Sequence, residues 1–410
     1  MSDFYQNGVI TTLHRLAPAS LGRLEAELKY FARERPMALV LPCLWSEVNG
    51  PGLRGIVEVL REVSYLHRVV VSVSGTSDPD EFRRVRDFFQ VLPEAVCVWG
   101  SGPTVGELLA RQRASGLEPG PDGKGRAVWL GAGCALALGD VDALAFHDCD
   151  ILTYEREFLA RLCYPVLSPH LDYDYCKGYY GRATDRLHGR VTRLFVTPLI
   201  LSLKSTLDSE LPLLEFVHGF RYPLAGEFAM KTALARQVRI PSDWGLEIGL
   251  LAEVFRNASP QRICQVELCD NYDHKHQELS PLDPSRGLHR MVIDIATSLF
   301  RNLASVGVQF DAGFLNTLCA SYVRQAQDIL RAYSDVALLN GLHFDPHDEE
   351  RMVETFASGL RIAGLEFVRD PLPPRPIPNW HRVIAAVPEC LKELRDAIGA
   401  DARSARISVA

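Results

Sequence analysis

Short apolar runs alternate with amphipathic segments between residues 21 and 146. The apolar runs predict buried strands at 37–42, 67–74, 95–99 and 141–146. Apolar residues at helical spacing predict helices at 21–34, 53–63, 80–90, 104–114 and 127–138. Strands that alternate with helices in this way indicate a parallel sheet with right-handed crossovers, and therefore an α/β fold.

The pattern becomes mainly helical after residue 150. Helices are predicted at 155–166, 190–205 and 244–255 and after the loop at 222–227, and strands at 173–180 and 263–268. Long helical patterns cover 290–340 and 348–364, a proline-rich linker covers 370–378, and a last helix covers 380–397. We expect the final ten residues to be frayed. The apolar stripes of the 290–365 helices must be buried, so we expect these helices to pack on the preceding α/β domain and to help form a homodimer; the alternative is packing within one chain only.

Composition excludes several classes of protein. The 410 residues are 47% hydrophobic and 23% charged, and 44 basic against 51 acidic residues leave a net charge of −7. This balance argues against electrostatic binding of nucleic acid. No stretch of about 18 apolar residues predicts a membrane span, and the N-terminus lacks the apolar stretch of a signal peptide. The ten cysteines never form a Cys-X-X-Cys pair, so we expect free thiols in a reducing cytoplasm and no zinc site.

Two carboxylates follow the apolar run at 141–146. Asp148 and Asp150 are two residues apart, so on an extended chain their side chains share one side. The carboxyl end of such a strand is the usual ligand-binding edge of an open α/β sheet. The two charges would repel each other unless a hard divalent cation lay between them and a substrate diphosphate. This Asp-X-Asp arrangement is typical of metal-dependent glycosyltransferases that use a nucleotide-sugar; the alternative is a solvated turn.

Three loops have the composition of nucleotide contacts. Glu47 follows the first strand and Ser74 ends the second, where a base and a ribose would fit between neighbouring strand ends. Lys124 lies between Gly123 and Gly125 just before a helix, which allows close backbone approach to an anion. The alternatives are ordinary strand–helix loops and a flexible solvated loop.

Three later motifs could hold an acceptor, a sugar or a metal. The run 189–192 (GRVT) starts a helix with a glycine, a guanidinium, free amides and a hydroxyl, which together suit a phosphate or carboxylate. Glu247 lies in an apolar helix, where a carboxylate is expected to be paired, metal-linked or functional. His274 and His276 share one side of an extended segment, so one could bind metal and the other an acceptor. The alternatives are a plain helix start, a polar helix face and a surface turn.

In this order the motifs resemble those of the glucosyl-3-phosphoglycerate synthases, which are retaining glycosyltransferases. The resemblance spans residues 36–290 and is most specific in HGRVTRLFVTPLI, PLAGEF and WGLEIGLL; the opening FYQNGVITTLHRL is also similar. It implies a GT-A fold, a Rossmann-like and mostly parallel nucleotide-sugar-binding core, with a mostly helical C-terminal region. We expect an N-terminal arm and helix at 1–35, the catalytic domain at 36–290 and a helical extension at 291–410.

The resemblance also implies roles for individual residues. The expected donor-binding residues are Pro42, Leu44, Glu47, Ser74, Lys124, Asp148, Leu224, Ala225 and Gly226. The expected acceptor-binding residues are Gly189, Arg190, Val191, Thr192 and His276. The expected metal ligands are Asp150 and His274, and the expected catalytic residues are Asp148, Asp150, Arg190 and Glu247.

The chain departs from the family pattern at a few positions. Trp45 and Ser46 replace a more polar stretch, which leaves the donor base open, and Cys149 is the middle residue of the Asp-X-Asp motif. Alignment of the histidine region needs a shift of one residue, so His274 and His276 both stay open as the metal ligand. His276 stands where the family has an acceptor-contacting asparagine.

The implied reaction is transfer of glucose from a nucleoside diphosphate, most simply UDP-glucose, to the hydroxyl of 3-phosphoglycerate with Mg²⁺ or Mn²⁺. No carboxylate is evidently placed as a nucleophile, and the resemblance implies attack on the same face as the leaving phosphate. The alternatives are mannosyl transfer or another acid acceptor, a sugar nucleotidyltransferase, and a non-catalytic binding protein. The loop LPCLWSEVNG lacks the basic residue that a triphosphate would need, and the intact Asp148, Asp150, Lys124 and Arg190 argue against loss of catalysis.

Overall fold

The computed structural model describes residues 6, 8–16, 21–92, 94–207, 210–275, 277–372 and 374–407. Its strands are β1 Thr11–Leu13, β2 Met37–Leu44, β3 Arg68–Ser74, β4 Ala95–Trp99, β5 Ala143–Phe146, β6 Tyr175–Tyr179, β7 Phe228–Lys231 and β8 Ile263–Glu267. Its helices are α1 Leu21–Phe31, α2 Pro51–Leu60, α3 Pro79–Phe89, α4 Pro103–Ala114, α5 Lys124–Leu138, α6 Arg156–Leu167, α7 Thr197–Thr206, α8 Pro212–His218, α9 Thr232–Ala235, α10 Leu246–Asn257, α11 Gly287–Ala304, α12 Ala312–Leu339, α13 Pro346–Arg369, α14 Trp380–Ala386 and α15 Cys390–Ile407. A π-helical stretch, Thr192–Val196, leads into α7.

The strands form one sheet in the order β1-β8-β6-β7-β5-β2-β3-β4. All neighbouring pairs are parallel except those of β7, which runs antiparallel to both β5 and β6. The predicted mostly parallel α/β sheet is therefore confirmed. Because β2 lies between β3 and β5, the ends of these three strands meet at one edge, as the sequence predicted.

Helices cover both faces of the sheet, which explains why β2 and β5 are apolar along their whole length. In β2, Ala38 and Val40 belong to the core on one face, whereas Leu39 and Leu41 belong to the core on the other. Strands buried on both faces cannot show the alternation of polar and apolar residues that a half-exposed strand shows. The continuous apolar runs in the sequence follow from this arrangement.

The C-terminal helices pack on the elements that surround the sheet. Helix α12 packs on α7, α11 on α10, and α15 on α4 and α5. Trp380 of α14 stacks on Trp129 of α5 with ring centroids 4.3 Å apart. The expected packing of these helices on the rest of the chain is thus found, while the domain boundaries at residues 35 and 290 stay a prediction.

Three local predictions were wrong. The loop at 222–227 leads into β7 rather than into a helix, because residues 228–231 pair with strands that are distant in sequence. The last helix is two helices, α14 and α15, with Pro388 between them. The tail is helical to residue 407 rather than frayed, because Asp401 accepts hydrogen bonds of 2.8 and 3.0 Å from the Thr104 and Val105 amides at the start of α4.

Two further predictions concern membrane spans and cysteines. No helix within the described residues is long and apolar enough to span a membrane. All ten cysteines are free thiols, and most of them are buried.

Candidate active site

The carboxyl ends of β2, β3 and β5 open into a cleft of about 370 Å³. Later segments of the chain close its other sides. The predicted site residues that line it are Pro42, Leu44, Glu47, Ser74, Lys124, Asp148, Asp150, Gly189, Arg190, Val191, Thr192, Leu224, Gly226 and His274. Ala225 and Glu247 are buried next to the cleft, and His276 lies outside the described residues. Residues from segments that are distant in sequence, from Pro42 to His274, thus meet at one place.

Lys124 joins two of the predicted carboxylates. It is the first residue of α5, after Gly123 with a φ of 155° that only glycine adopts readily. Its Nζ lies 2.7 and 3.0 Å from the two Asp148 oxygens and 3.2 Å from Oε1 of Glu247. Burial lowers the pKa of Lys124, but the two carboxylates outweigh burial and raise it above its usual value. Burial conversely raises the pKa of Asp148, and Lys124 lowers it below its usual value.

Asp150 and His274 lie side by side in the cleft. The Asp150 Oδ2 atom lies 3.5 Å from Nδ1 of His274, and residues 151 and 274 form a backbone bridge. The other oxygen, Oδ1, is buried without a hydrogen-bond partner in the structure. Gly52 of α2 packs closely against the Asp150 backbone: a Cβ on residue 52 would lie 2.8 Å from the Asp150 carbonyl carbon. The backbone of Asp150 is therefore held from two sides while its side chain keeps one oxygen available.

The pair fits a divalent cation that also binds a substrate. A buried carboxylate oxygen without a partner and a nearby imidazole are suitable ligands for Mg²⁺ or Mn²⁺. Among the described residues, no group of three His, Cys, Asp or Glu side chains is arranged to hold a metal ion. A cation bound by Asp150 and His274 would therefore need further oxygen ligands, which a diphosphate can supply.

The loop at 222–227 is built around the Asp-X-Asp motif. Gly226 lies against Asp148, and a Cβ at this position would be 2.6 Å from Asp148 Oδ2. The carbonyl of Ala225 accepts a hydrogen bond of 2.7 Å from Nζ of Lys177, a buried lysine of β6. Burial lowers the pKa of Lys177 to about 8. The hydrogen bond from Lys177 therefore holds the 222–227 loop against β6.

Glu227 anchors the aromatic floor of the cleft. Its carboxylate is fully buried and accepts hydrogen bonds of 2.7 Å from Tyr180 and 2.8 Å from Tyr272. The two tyrosine rings stack with centroids 3.9 Å apart. Burial, and then the charge of Asp148, raise the pKa of Glu227.

Several groups that can donate hydrogen bonds lie at the start of the helix that precedes α7. Gly189 has a φ of 67°, and its carbonyl accepts the Arg193 amide at 3.0 Å, which closes the first turn. The first amides of a helix have no partner within it. Oγ1 of Thr192 is buried without a hydrogen-bond partner in the structure, and Nη2 of Arg190 donates to the Gln277 carbonyl at 2.9 Å. All four residues of the GRVT motif line the cleft, while their role in binding an anion stays a prediction.

Sequence reasoning missed several residues of the cleft. The segment 173–180 contains polar residues between its apolar ones, but β6 lies inside the sheet and is buried along its whole length. Lys177 and Tyr180 of this segment therefore point toward the site or its support rather than toward solvent. Arg182, Tyr222, Trp244 and Tyr272 also line the cleft. No local pattern marks them, because only the fold brings them together.

Comparison with known proteins finds full-length relatives. No family model matches the chain. The glucosyl-3-phosphoglycerate synthase of Persephonella marina is 42% identical over 98% of this chain and 99% of its own length. The synthase of the same name from Methanococcoides burtonii is 39% identical over 98% of both chains.

Solved structures share the fold. The glucosyl-3-phosphoglycerate synthase of Mycobacterium tuberculosis in complex with Mn²⁺, UDP-glucose and phosphoglyceric acid is 23% identical, with a TM-score of 0.52 over 72% of this chain and 88% of that chain. Its complex with Mg²⁺ and UDP has a TM-score of 0.52 at 23% identity, over 72% of this chain and 87% of that chain. The GT-A fold expected from the sequence is confirmed.

Proposed function

The chain belongs to the glucosyl-3-phosphoglycerate synthase family of glycosyltransferases, and from this premise we propose that it transfers glucose from UDP-glucose to 3-phosphoglycerate. One observation supports this most strongly. Most of the residues expected to bind donor, metal and acceptor line a single cleft, although they come from distant segments of the chain.

Asp150 and His274 are proposed to hold Mg²⁺ or Mn²⁺ together with the donor diphosphate. Structures of the related Mycobacterium tuberculosis enzyme contain either ion with UDP or UDP-glucose. The cation would neutralise charge on the leaving diphosphate. The loops of Leu44, Glu47 and Ser74 would hold the base and ribose at the neighbouring strand ends.

Lys124 orients the carboxylates that face the sugar. Its contacts with Asp148 and Glu247 hold both groups in place. Carboxylates are good acceptors for sugar hydroxyls, and Gly226 allows the donor to approach Asp148 closely. These two carboxylates and the Leu224–Ala225–Gly226 loop would therefore bind the glucose unit.

The start of the helix at residues 189–192 is proposed to hold the acceptor phosphate. The amides and the Thr192 hydroxyl would donate to it, and the Arg190 guanidinium would balance its charge. The Arg190 guanidinium is partly buried, which lowers its pKa, and partial burial strengthens the contact of such a group with an anion. Fixing the phosphate orients the acceptor hydroxyl toward the sugar. His276 stays a predicted acceptor contact.

We propose retention of the anomeric configuration without a protein nucleophile. Asp148 and Glu247 both contact Lys124, and Glu227 is buried beneath two tyrosines. None of these carboxylates is free to attack, so the leaving phosphate would accept the acceptor proton on the same face. NMR of the product should show an α-glucoside from an α-linked donor, and a β-glucoside would contradict the proposal.

A donor-by-acceptor panel tests the function directly. UDP-glucose with 3-phosphoglycerate should give the highest kcat/KM among UDP-, ADP- and GDP-glucose and GDP-mannose. A preference for GDP-mannose would instead favour mannosyl-3-phosphoglycerate synthesis. Formation of a nucleotide-sugar from a nucleoside triphosphate would favour a nucleotidyltransferase.

Arg190→Gln tests the acceptor site. We expect a loss of about 2–4 kcal/mol in kcat/KM for 3-phosphoglycerate and an unchanged donor KM. Arg186→Gln is the matched control, because Arg186 is exposed and pairs with Asp185. A loss confined to donor binding would contradict the assignment.

A cytoplasmic homodimer is also proposed. The ten free cysteines fit a reducing compartment. Leu338 and Leu339, which are 82% and 87% exposed at the end of α12, offer apolar surface for a second copy. Light scattering at micromolar concentration should give twice the mass of the chain, and a monomer would contradict the dimer.

A further inference from the structure

Two guanidinium groups in the cleft have no carboxylate partner among the residues that the structure describes. These are Arg190, which donates to a backbone carbonyl, and Arg182, which donates to a tyrosine hydroxyl. Their neighbours differ, since Arg186 pairs with Asp185 and Arg193 forms a two-pronged pair with Glu349. Two unpaired cations on one side of a cleft favour a ligand with two anionic groups.

Arg182 is held in a defined position. Its Nη1 donates to Oη of Tyr222 at 3.1 Å, and its guanidinium carbon lies 5.7 Å from the centroid of the Tyr272 ring. Its Nε is buried and has no hydrogen-bond partner in the structure. A half-buried guanidinium fixed by two tyrosines loses little rotamer freedom when it binds an anion.

Tyr222 connects Arg182 to the acceptor site. Its hydroxyl lies 3.3 Å from the position that a Cβ on Gly189 would occupy. Arg182 and the helix start at Gly189 are therefore contacted by the same side chain. An acceptor whose phosphate binds at that helix start next to Arg190 would reach Arg182 with a second anionic group. The two anionic groups must then be close together in the acceptor molecule.

We propose that Arg182 is a further acceptor-binding residue that contacts the carboxylate of the acid acceptor, while Arg190 and the helix start hold its phosphate. This inference rests on the proposed function, since 3-phosphoglycerate carries both groups on a three-carbon chain. The planar guanidinium can donate two parallel hydrogen bonds to a carboxylate, which selects the acid over a phosphorylated alcohol. Arg182 would thus determine specificity for an acid.

The test separates the two anionic groups by means of two inhibitors. Glycerate carries only the carboxylate, and glycerol 3-phosphate carries only the phosphate. With Arg182→Gln, we expect the KM for 3-phosphoglycerate and the inhibition constant for glycerate to rise about 10- to 150-fold, the range for a lost charge-assisted contact. The inhibition constant for glycerol 3-phosphate and the donor KM should change less than about 3-fold.

Three further variants control this experiment. Arg186→Gln should leave all four constants unchanged. Arg182→Lys keeps the charge but loses the planar fork, so it should restore part of the affinity for glycerate. Tyr222→Phe removes only the hydroxyl that positions Arg182, so it should raise the inhibition constant for glycerate by a smaller factor than Arg182→Gln does. This variant keeps the test valid if Arg182→Gln folds poorly.

Two results would overturn the inference. If Arg182→Gln raises the inhibition constants for glycerate and glycerol 3-phosphate equally, Arg182 supports the site as a whole. If Arg182→Gln leaves all four constants at their wild-type values, Arg182 does not contact the acceptor. In either case, wild-type transfer to 3-phosphoglycerate would leave the proposed function intact. Absence of that transfer in the wild-type protein would overturn both.

Discussion

A single methyl group added at Gly226 should lower activity strongly, because it would displace Asp148. An alanine Cβ would lie 2.6 Å from Oδ2 and 2.9 Å from Cγ of Asp148. Ordinary contacts of a Cβ begin near 3.4 Å, so the Asp148 carboxylate would have to retreat by about 0.8 Å. Gly226 does not have a positive φ, so the backbone itself tolerates alanine. The change therefore tests the close packing between the 222–227 loop and Asp148 at the place where the donor is proposed to bind.

The expected loss follows from the size of this displacement. A shift of about 1 Å at a reacting centre can lower the rate about 100-fold. The shift also disturbs the Lys124 contacts of 2.7 and 3.0 Å that orient Asp148. We therefore expect kcat/KM for UDP-glucose in Gly226→Ala to fall about 100-fold, or about 2.7 kcal/mol. Steady-state kinetics with saturating Mg²⁺ or Mn²⁺ measure this loss.

The control is Gly106→Ala in α4. A Cβ at Gly106 would meet no atom within 4 Å, so this variant should keep wild-type activity. It should also gain about 0.5–1 kcal/mol of stability because alanine favours a helix interior. If Gly226→Ala folds normally and keeps wild-type kcat/KM, the position of Asp148 does not control the reaction and the reasoning is refuted.

Three other predictions concern the metal, a buried lysine and a buried ion pair. Asp150→Ala should abolish turnover without a change in melting temperature, because the cation loses a ligand at a strand end; near-normal turnover by EDTA-treated wild-type enzyme would contradict this. Lys177 has a pKa lowered by burial to about 8 from 10.5, so between these values the unfolded chain binds a proton that the folded chain has released. The free energy of unfolding of metal-free protein should therefore rise with pH across that window by about 3 kcal/mol relative to Lys177→Met, and a constant difference would disprove it. Glu349→Gln should cost about 3–5 kcal/mol in chemical denaturation, because it leaves the Arg193 guanidinium buried without its carboxylate. Asp348→Asn, at an exposed neighbouring position, should cost far less, and equal costs would mean that the buried pair does not contribute as expected.

The Arg193–Glu349 pair also gives the C-terminal helices a role near the site. Glu349 lies in the first turn of α13, and Arg193 follows directly on the proposed acceptor residues. Arg193 also donates to the His188 and Leu187 carbonyls at 3.0 and 3.3 Å. A helix from the C-terminal region thus stabilises the loop that precedes the acceptor helix.

Local features of the sequence were sufficient to predict the central strands, most helices and the main site motifs. Apolar runs and helical spacing report burial and periodicity, which are properties of neighbouring residues. Asp148 and Asp150 could be predicted as a site because they directly follow a buried strand, whose end lies at the binding edge. The GRVT motif could be predicted because a helix start presents free amides wherever it lies.

The tertiary structure alone decided which of these features meet and how they are paired. The direction of β7 depends on pairing with two strands that are distant in sequence, so no local pattern could reveal it. Lys124 was predicted as an anion contact, but only the fold shows that it holds Asp148 and Glu247. Arg182 has no distinctive neighbours in sequence, and its importance arises because Tyr222 and Tyr272 reach it across the cleft. Periodicity encodes which residues are buried, whereas contacts between distant segments depend on how the whole chain packs.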